Sequence, residues 1–291
     1  MPLRHTPRAA MRNGVLGLLG LATLGACDAS NVNAVNAAMT GAAVLAQGDA
    51  TVSEQRELGQ AATKETLQDY TRSPDRKLEG KLTRIVEGIA QANGLDTFPW
   101  QVVLLKSGEV NAFTPGGGYI FVEDGIIAQA RTEAMMAMVL AHEMAHVQKA
   151  HPADGMRDRT AIVAGSSALS AYLGGQGSGL TSAAVDQAMQ YVTLAAVNGY
   201  GRDKETEADD IGFGYYVKAG YMPSAAPRIF QRFAKLNGTQ PALTHFFHGS
   251  HPQSADRAKR IQQLVNQLPA GRRNSGINQT DEWQRLTGAY R

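Results

Sequence analysis

Residues 132–150 read Thr132-Glu133-Ala134-Met135-Met136-Ala137-Met138-Val139-Leu140-Ala141-His142-Glu143-Met144-Ala145-His146-Val147-Gln148-Lys149-Ala150. Neither glycine nor proline interrupts the run, and good helix formers dominate it, so it predicts a strong helix. On that helix His142 and His146 stand one turn apart on one face, where both imidazoles can meet one tetrahedral cation. Glu143 is offset by about 100° and can reach a water at that cation. The plain alternative, a helix with two exposed histidines and a glutamate, weakens once a third ligand is found.

Two histidines do not complete a protein zinc site. A further ligand in the H-x-x-G-x-x-H style is absent, because His151 falls five residues past His146. The segment Arg202-Asp203-Lys204-Glu205-Thr206-Glu207-Ala208-Asp209-Asp210 predicts another helix, with Glu205 and Asp209 four residues apart on one face. Glu205 is the candidate third ligand. Asp209 is placed to accept the free N–H of a zinc-bound histidine and so fix its tautomer. Acidic side chains also favour a helix start on electrostatic grounds alone, so the HExxH helix upstream decides between the two readings.

Outward from these helices the chain divides simply. Residues 1–26 carry Arg4, Arg8 and Arg12 ahead of an apolar run from Gly14 to Ala26, the pattern of a secretory leader and too short to span a bilayer. The run ends Leu24-Gly25-Ala26-Cys27, which resembles a bacterial lipobox, and Cys27 is the only cysteine. Cys27 is therefore the expected lipidation site. Asp28 resembles an inner-membrane retention signal, with the outer membrane as the other destination. Residues 27–52 are small and polar and read as a flexible tether. Residues 53–268 form the candidate catalytic domain, and 269–291 a polar tail that Trp283 and Leu286 would dock.

Within the domain, Leu58, Ala61, Ala62, Leu67 and Tyr70, then Leu78, Leu82, Ile85, Val86 and Ile89, have helical spacing. Pro99–Leu105, Val110–Phe113 and Tyr119–Val122 are β-rich, with turn residues at 106–108 and 115–118, and predict a small three-stranded sheet. Beyond it the pattern is almost wholly helical. Residues 160–180, rich in Ala, Ser and Gly, read either as a helical hairpin or as a plug over the cleft. Met135, Met136, Met138 and Met144 read as core.

The formal net charge is +2, and three of the 28 basic side chains lie in the leader, so the remainder is nearly neutral. That excludes an electrostatic case for nucleic acid, or for membrane binding other than through an N-terminal lipid. A single cysteine excludes an intramolecular disulfide framework. Gly116-Gly117-Gly118 lacks the Lys-Ser/Thr of a phosphate loop.

Several separated segments resemble one family in order along about residues 53–268. They are Asn111-Ala112-Phe113 before Pro115-Gly116-Gly117-Gly118-Tyr119-Ile120-Phe121-Val122, Val139–Val147 followed by His151, and Glu205-Thr206-Glu207-Ala208-Asp209-Asp210-Ile211-Gly212. Ala219-Gly220-Tyr221-Met222-Pro223 and His251-Pro252 with Arg257 and Ile261 complete the set. The family is the HtpX/CAAX-prenyl-protease family of zinc metallopeptidases, and the likeness is strongest to its soluble periplasmic lipoprotein and mitochondrial Oma-like branch.

The resemblance implies an α+β, mainly helical gluzincin fold with a small antiparallel sheet whose edge strand takes the substrate. It implies one Zn2+ per chain on His142, His146 and Glu205, with Glu143 as general base and Asp209 behind a ligand. An open strand across Gly117, Gly118, Tyr119, Ile120 and Phe121 would pair with an extended peptide, which suits unfolded or misfolded substrates. Arg202, Tyr200, His248, His251 and Arg257 are candidate oxyanion donors. In related members the histidine matching His251 is thought to cap the zinc and silence the enzyme. The alternative is a latched or non-catalytic, chaperone-like zinc protein that binds unfolded envelope proteins. The sequence leaves the oligomeric state open.

Overall fold

The computed structural model describes residues 51–155, 200–239 and 254–290. Cys27, the leader, the tether up to residue 50, the 160–180 segment, and His245, His248 and His251 lie outside the described residues, and the last tether residue, Val52, opens the first helix instead.

Eight helices and three strands are described: α1 (Val52–Asp69), α2 (Arg76–Asn93), β1 (Gln101–Leu105), β2 (Ala112–Gly116), β3 (Tyr119–Glu123), α3 (Glu133–Gln148), α4 (Arg202–Lys218), α5 (Ala226–Thr239), α6 (Ser254–Gln267), α7 (Ala270–Arg273) and α8 (Thr280–Leu286). The fold is mainly helical α+β, as the sequence predicts. Among the described residues no helix is long and apolar enough to cross a membrane.

The sheet departs from expectation. Its strand order is β1-β3-β2, with β1 parallel and β2 antiparallel to β3, so it is mixed rather than antiparallel. The cause lies in residues 106–111. Oδ1 of Asp124, just past β3, accepts from the amides of Ser107 at 3.2 Å and Gly108 at 2.7 Å. Those bonds carry the chain across the end of β3, and β2 returns along its far side. β3 is thus the central strand, hydrogen-bonded on both flanks, and cannot be the open strand expected at Tyr119, Ile120 and Phe121. Gly117 is closed as well, because α1 packs on the β2–β3 turn. A Cβ on Gly117 would lie 2.7 Å from the Gln55 carbonyl, and one on Gly118 would lie 2.8 Å from Cβ of Phe98.

The alternation of the strands places Val102, Leu104, Ile120 and Val122 in the main core. Val103, Leu105, Phe113 and Phe121 form a smaller cluster on the opposite face, under Tyr70. α2 buries its apolar stripe, Leu78, Leu82, Ile85, Val86 and Ile89, against β1 and α3. Its Asp75 cap accepts from the Leu78 amide at 2.9 Å.

α3 runs through the centre, and every residue from Glu133 to Val147 is buried, as expected of a helix apolar on all sides. Thr132 caps it by accepting from the Met135 amide. α4 crosses α3 closely because Gly212 has no side chain: a Cβ there would lie 2.9 Å from both the Ala141 oxygen and Cα of His142. The tail docks through Trp283, fully buried, whose indole N–H donates to the Ala130 carbonyl at 2.7 Å.

Candidate metal centre

The α3–α4 crossing brings the predicted ligands together. Nε2 of His142 and Nε2 of His146 lie 3.0 Å apart. Glu205, in the first turn of α4, places Oε2 3.5 Å from Nε2 of His142 and Oε1 3.4 Å from Nε2 of His146. Donor atoms of all three lie within 4.8 Å of one another, and all three residues are buried. Zinc bonds of about 2.0–2.1 Å in a tetrahedron put donors about 3.3 Å apart, so this set fits such an ion. Magnesium and calcium prefer all-oxygen shells, which two imidazoles do not provide.

Glu143 is buried beside His142 at 1% exposure, inside the core and yet next to the ligand cluster. Asp209, one turn beyond Glu205, sits with Oδ1 3.0 Å from Nδ1 of His142, the position expected of a carboxylate that fixes a ligand's tautomer.

Arg257 of α6 reaches the same place. Its Nε lies 3.1 and 3.0 Å from the two Asp209 oxygens, and its Nη2 lies 2.7 Å from Oδ1. Nη2 is also 2.9 Å from Nδ1 of His142, and Nη1 is 3.4 Å from Glu205. The guanidinium stands 4.5 Å from the centre of the Phe230 ring. Burial disfavours both charges, but Arg257, followed by His142, holds the Asp209 carboxyl down at about 2. Burial and the Arg257 charge likewise oppose a protonated His142, and its contacts with Asp209 and Glu205 outweigh them and raise it to about 9.

Three placements were not read from the sequence. His151, 2% exposed, turns Nδ1 toward Nδ1 of His146 at 2.8 Å, and its Nε2 lies 3.2 Å from Oε2 of Glu207. Lys149 pairs with the other Glu207 oxygen at 2.7 Å. Burial, partly offset by Glu207, lowers the His151 imidazole below its ordinary value. Tyr200 stacks on the His146 ring with centroids 4.0 Å apart and donates to the Thr114 carbonyl of β2 at 3.3 Å. The signals were present: a histidine just past the HExxH helix, and a second glutamate between Glu205 and Asp209. Arg202 is exposed at the first residue of α4.

A sequence model of peptidase family M48 matches residues 76–265. The chain is 27% identical over 235 residues to the mitochondrial metalloendopeptidase OMA1 of Schizosaccharomyces pombe, across 78% of this chain and 66% of that protein. It is 29% identical over 194 residues to the metalloprotease YcaL of Escherichia coli, across 66% of this chain and 72% of that protein. It is also 28% identical over 223 residues to the beta-barrel assembly-enhancing protease of Escherichia coli, across 67% of this chain and 45% of that protein. The chain therefore spans less than half of the last relative and about two thirds of the first.

Proposed function

The chain belongs to peptidase family M48 and is a metalloendopeptidase, and on that premise we propose that it is a zinc enzyme of the bacterial cell envelope that hydrolyses unfolded or damaged proteins. The observation that carries the reading is the convergence of two imidazole nitrogens and one carboxylate, beside a buried Glu143. Three protein ligands of this kind, with one position left for water or substrate, are the donor set of catalytic zinc. When bound, zinc lowers the pKa of water toward neutrality and polarises a carbonyl.

Glu143 is the proton carrier in this account. As water adds to the scissile carbonyl carbon, the Glu143 carboxylate takes one of its protons. It returns that proton to the amine nitrogen as the C–N bond breaks, and regains its starting state. Asp209 is placed to accept Nδ1–H of His142 and so leave Nε2 as the donor, an arrangement that requires Nη2 of Arg257, 2.9 Å from the same nitrogen, to direct its hydrogen to Asp209 instead. Arg257 has Nε and Nη2 engaged with Asp209, which supports a role in holding that carboxylate rather than in donating to an oxyanion.

With β3 in the interior of the sheet, we place an extended substrate along β2, which among the described residues pairs with one strand only but is buried over all five residues, so that substrate must displace what covers the edge. Tyr200 links the Thr114 carbonyl of that strand to the His146 ring, so β2 passes close to the ligand cluster. Pairing through backbone atoms asks little of substrate side chains, which suits unfolded chains. The envelope location rests on the basic and apolar leader and on Cys27 as lipid carrier. Asp28 favours the inner membrane, and a relative named for β-barrel assembly supports an envelope setting. The likeness of His251-Pro252 to the family's HP segment supports a latch role for His251, with His248 as the second candidate.

The test is metal content together with cleavage of an unfolded reporter protein by the purified chain. One zinc per chain, activity lost to a chelator and restored by zinc, and higher activity in His251→Ala support the account. A zinc-loaded chain that binds the reporter without cutting it, in both the parent and His251→Ala, favours a chaperone-like role.

A further inference from the structure

His142 and His146 are both candidate ligands through Nε2, and their Nδ1 atoms meet different partners. His142 faces the Asp209 carboxylate, whereas His146 faces Nδ1 of a third histidine, His151, at 2.8 Å. For His146 to offer Nε2 to a metal, its Nδ1 must carry the proton. Two Nδ1 atoms at hydrogen-bond distance share one hydrogen, so Nδ1 of His151 is then the acceptor and its own proton sits on Nε2. That Nε2 faces Oε2 of Glu207 at 3.2 Å, and an ionised carboxylate only accepts. Lys149 donates to the other Glu207 oxygen at 2.7 Å. One proton arrangement satisfies the whole chain, running from the buried His146 to the half-exposed Glu207 and Lys149.

The backbone is bent to make this contact. On an unbroken helix the fifth residue after His146 would stand about 140° around the axis, pointing away from it. Ala150 instead takes φ of 54°, the left-handed region that a Cβ disfavours, and residues 151–155 turn back as a new helical segment. A non-glycine residue held in that conformation beside a ligand cluster marks a position its surroundings over-determine. The start of α4 then has three tasks at alternate residues: Glu205 toward the metal, Glu207 behind one histidine through His151, and Asp209 behind the other.

We propose that His151 is the positioning residue of His146, accepting its Nδ1–H and anchored in turn by Glu207, so that Nε2 of His146 is held as a metal donor. The inference rests on the reading of His142, His146 and Glu205 as ligands.

It is tested by zinc affinity of the purified full chain, measured in competition with a chromophoric chelator. His151→Phe keeps bulk but removes the acceptor, and is expected to weaken zinc binding about 10- to 100-fold. His151→Gln, whose amide oxygen can accept, restores most of that loss. Glu207→Leu changes a half-exposed position and gives a smaller loss of about three- to tenfold. With cobalt in place of zinc, the visible absorption bands shift in His151→Phe and Glu207→Leu. Parental affinity and spectrum in both variants overturn the proposal, as does a loss in His151→Phe that His151→Gln does not recover. Glu205→Gln separates the two possible failures. If it lowers affinity while His151→Phe does not, only this inference falls; if it too leaves affinity unchanged, the ligand reading falls and this inference with it.

Discussion

Oδ1 of Asp209 lies 3.0 Å from Nδ1 of His142, and the same oxygen lies 2.7 Å from Nη2 of Arg257. Asp209 is 1% exposed and Arg257 6%, so each charge depends on the other for its place in the core. Asp209→Leu leaves the guanidinium without its main partner, Arg257→Met leaves the carboxylate without its own, and each is expected to cost about 3–5 kcal/mol of stability. Asp209→Leu combined with Arg257→Met removes both charges, and the loss is well below the sum of the single losses. Urea unfolding of the four proteins measures the coupling; additive losses would show that the two residues do not act as a pair.

Gly212 sets the distance between α4 and α3. Gly212→Ala would put a Cβ 2.9 Å from the Ala141 oxygen and Cα of His142, and backbone on both sides cannot yield as a flexible side chain would. The expected result is a loss of about 1–3 kcal/mol with weakened zinc binding, because Glu205 and Asp209 ride on the displaced helix. Gly214→Ala, on the same helix with open space around it, is the control and should be neutral or slightly stabilising.

Glu79 ties α2 to β1. Its carboxylate bonds Arg72 at 2.8 and 2.9 Å and accepts from the Leu104 amide at 3.0 Å. Burial alone would raise its pKa, but Arg72, the Leu104 amide and Arg76 together lower it. The unfolded chain therefore binds more protons than the folded one just below the ordinary glutamate range, and this contribution to stability is lost as pH falls through the folded pKa. Glu79→Gln is expected to cost about 1–3 kcal/mol at pH 7. The gap from the parent narrows on acidification below about pH 4, and urea midpoints at pH 7 and pH 3.5 read it directly. A gap that widened on acidification would reverse the sign argued here.

What the sequence discloses follows from how local each relationship is. His142 and His146 are joined by helix geometry alone, and Glu205 with Asp209 likewise, so both pairs are legible from spacing. The contact between the pairs spans about sixty residues of chain and depends on Gly212, whose meaning appears only when α3 is seen against it. The mixed pairing of the sheet, where the resemblance implies an antiparallel one, has a similar cause: three short β-rich runs with two turns do not carry their own strand order, and the amides of Ser107 and Gly108 on Asp124, sixteen and more residues away, redirect the chain. In the sequence His151 stands out as a histidine in the wrong place for a third ligand and as the end of the family-like zinc-helix segment, with no sign of what it touches. Its approach to His146 needs the left-handed turn at Ala150, which no residue type there announces. Arg257 entered as one of several oxyanion candidates, and its hold on Asp209 is a tertiary contact across 48 residues.

The most direct test of the central claim is cleavage of an unfolded protein by the zinc-loaded chain beside Glu143→Gln, with zinc content measured for both. One zinc per chain is expected in each, with cleavage by the parent and a rate in Glu143→Gln lower by about a hundredfold or more, as for loss of a general base. Cleavage by Glu143→Gln at the parent's rate, with zinc bound in both, would contradict it.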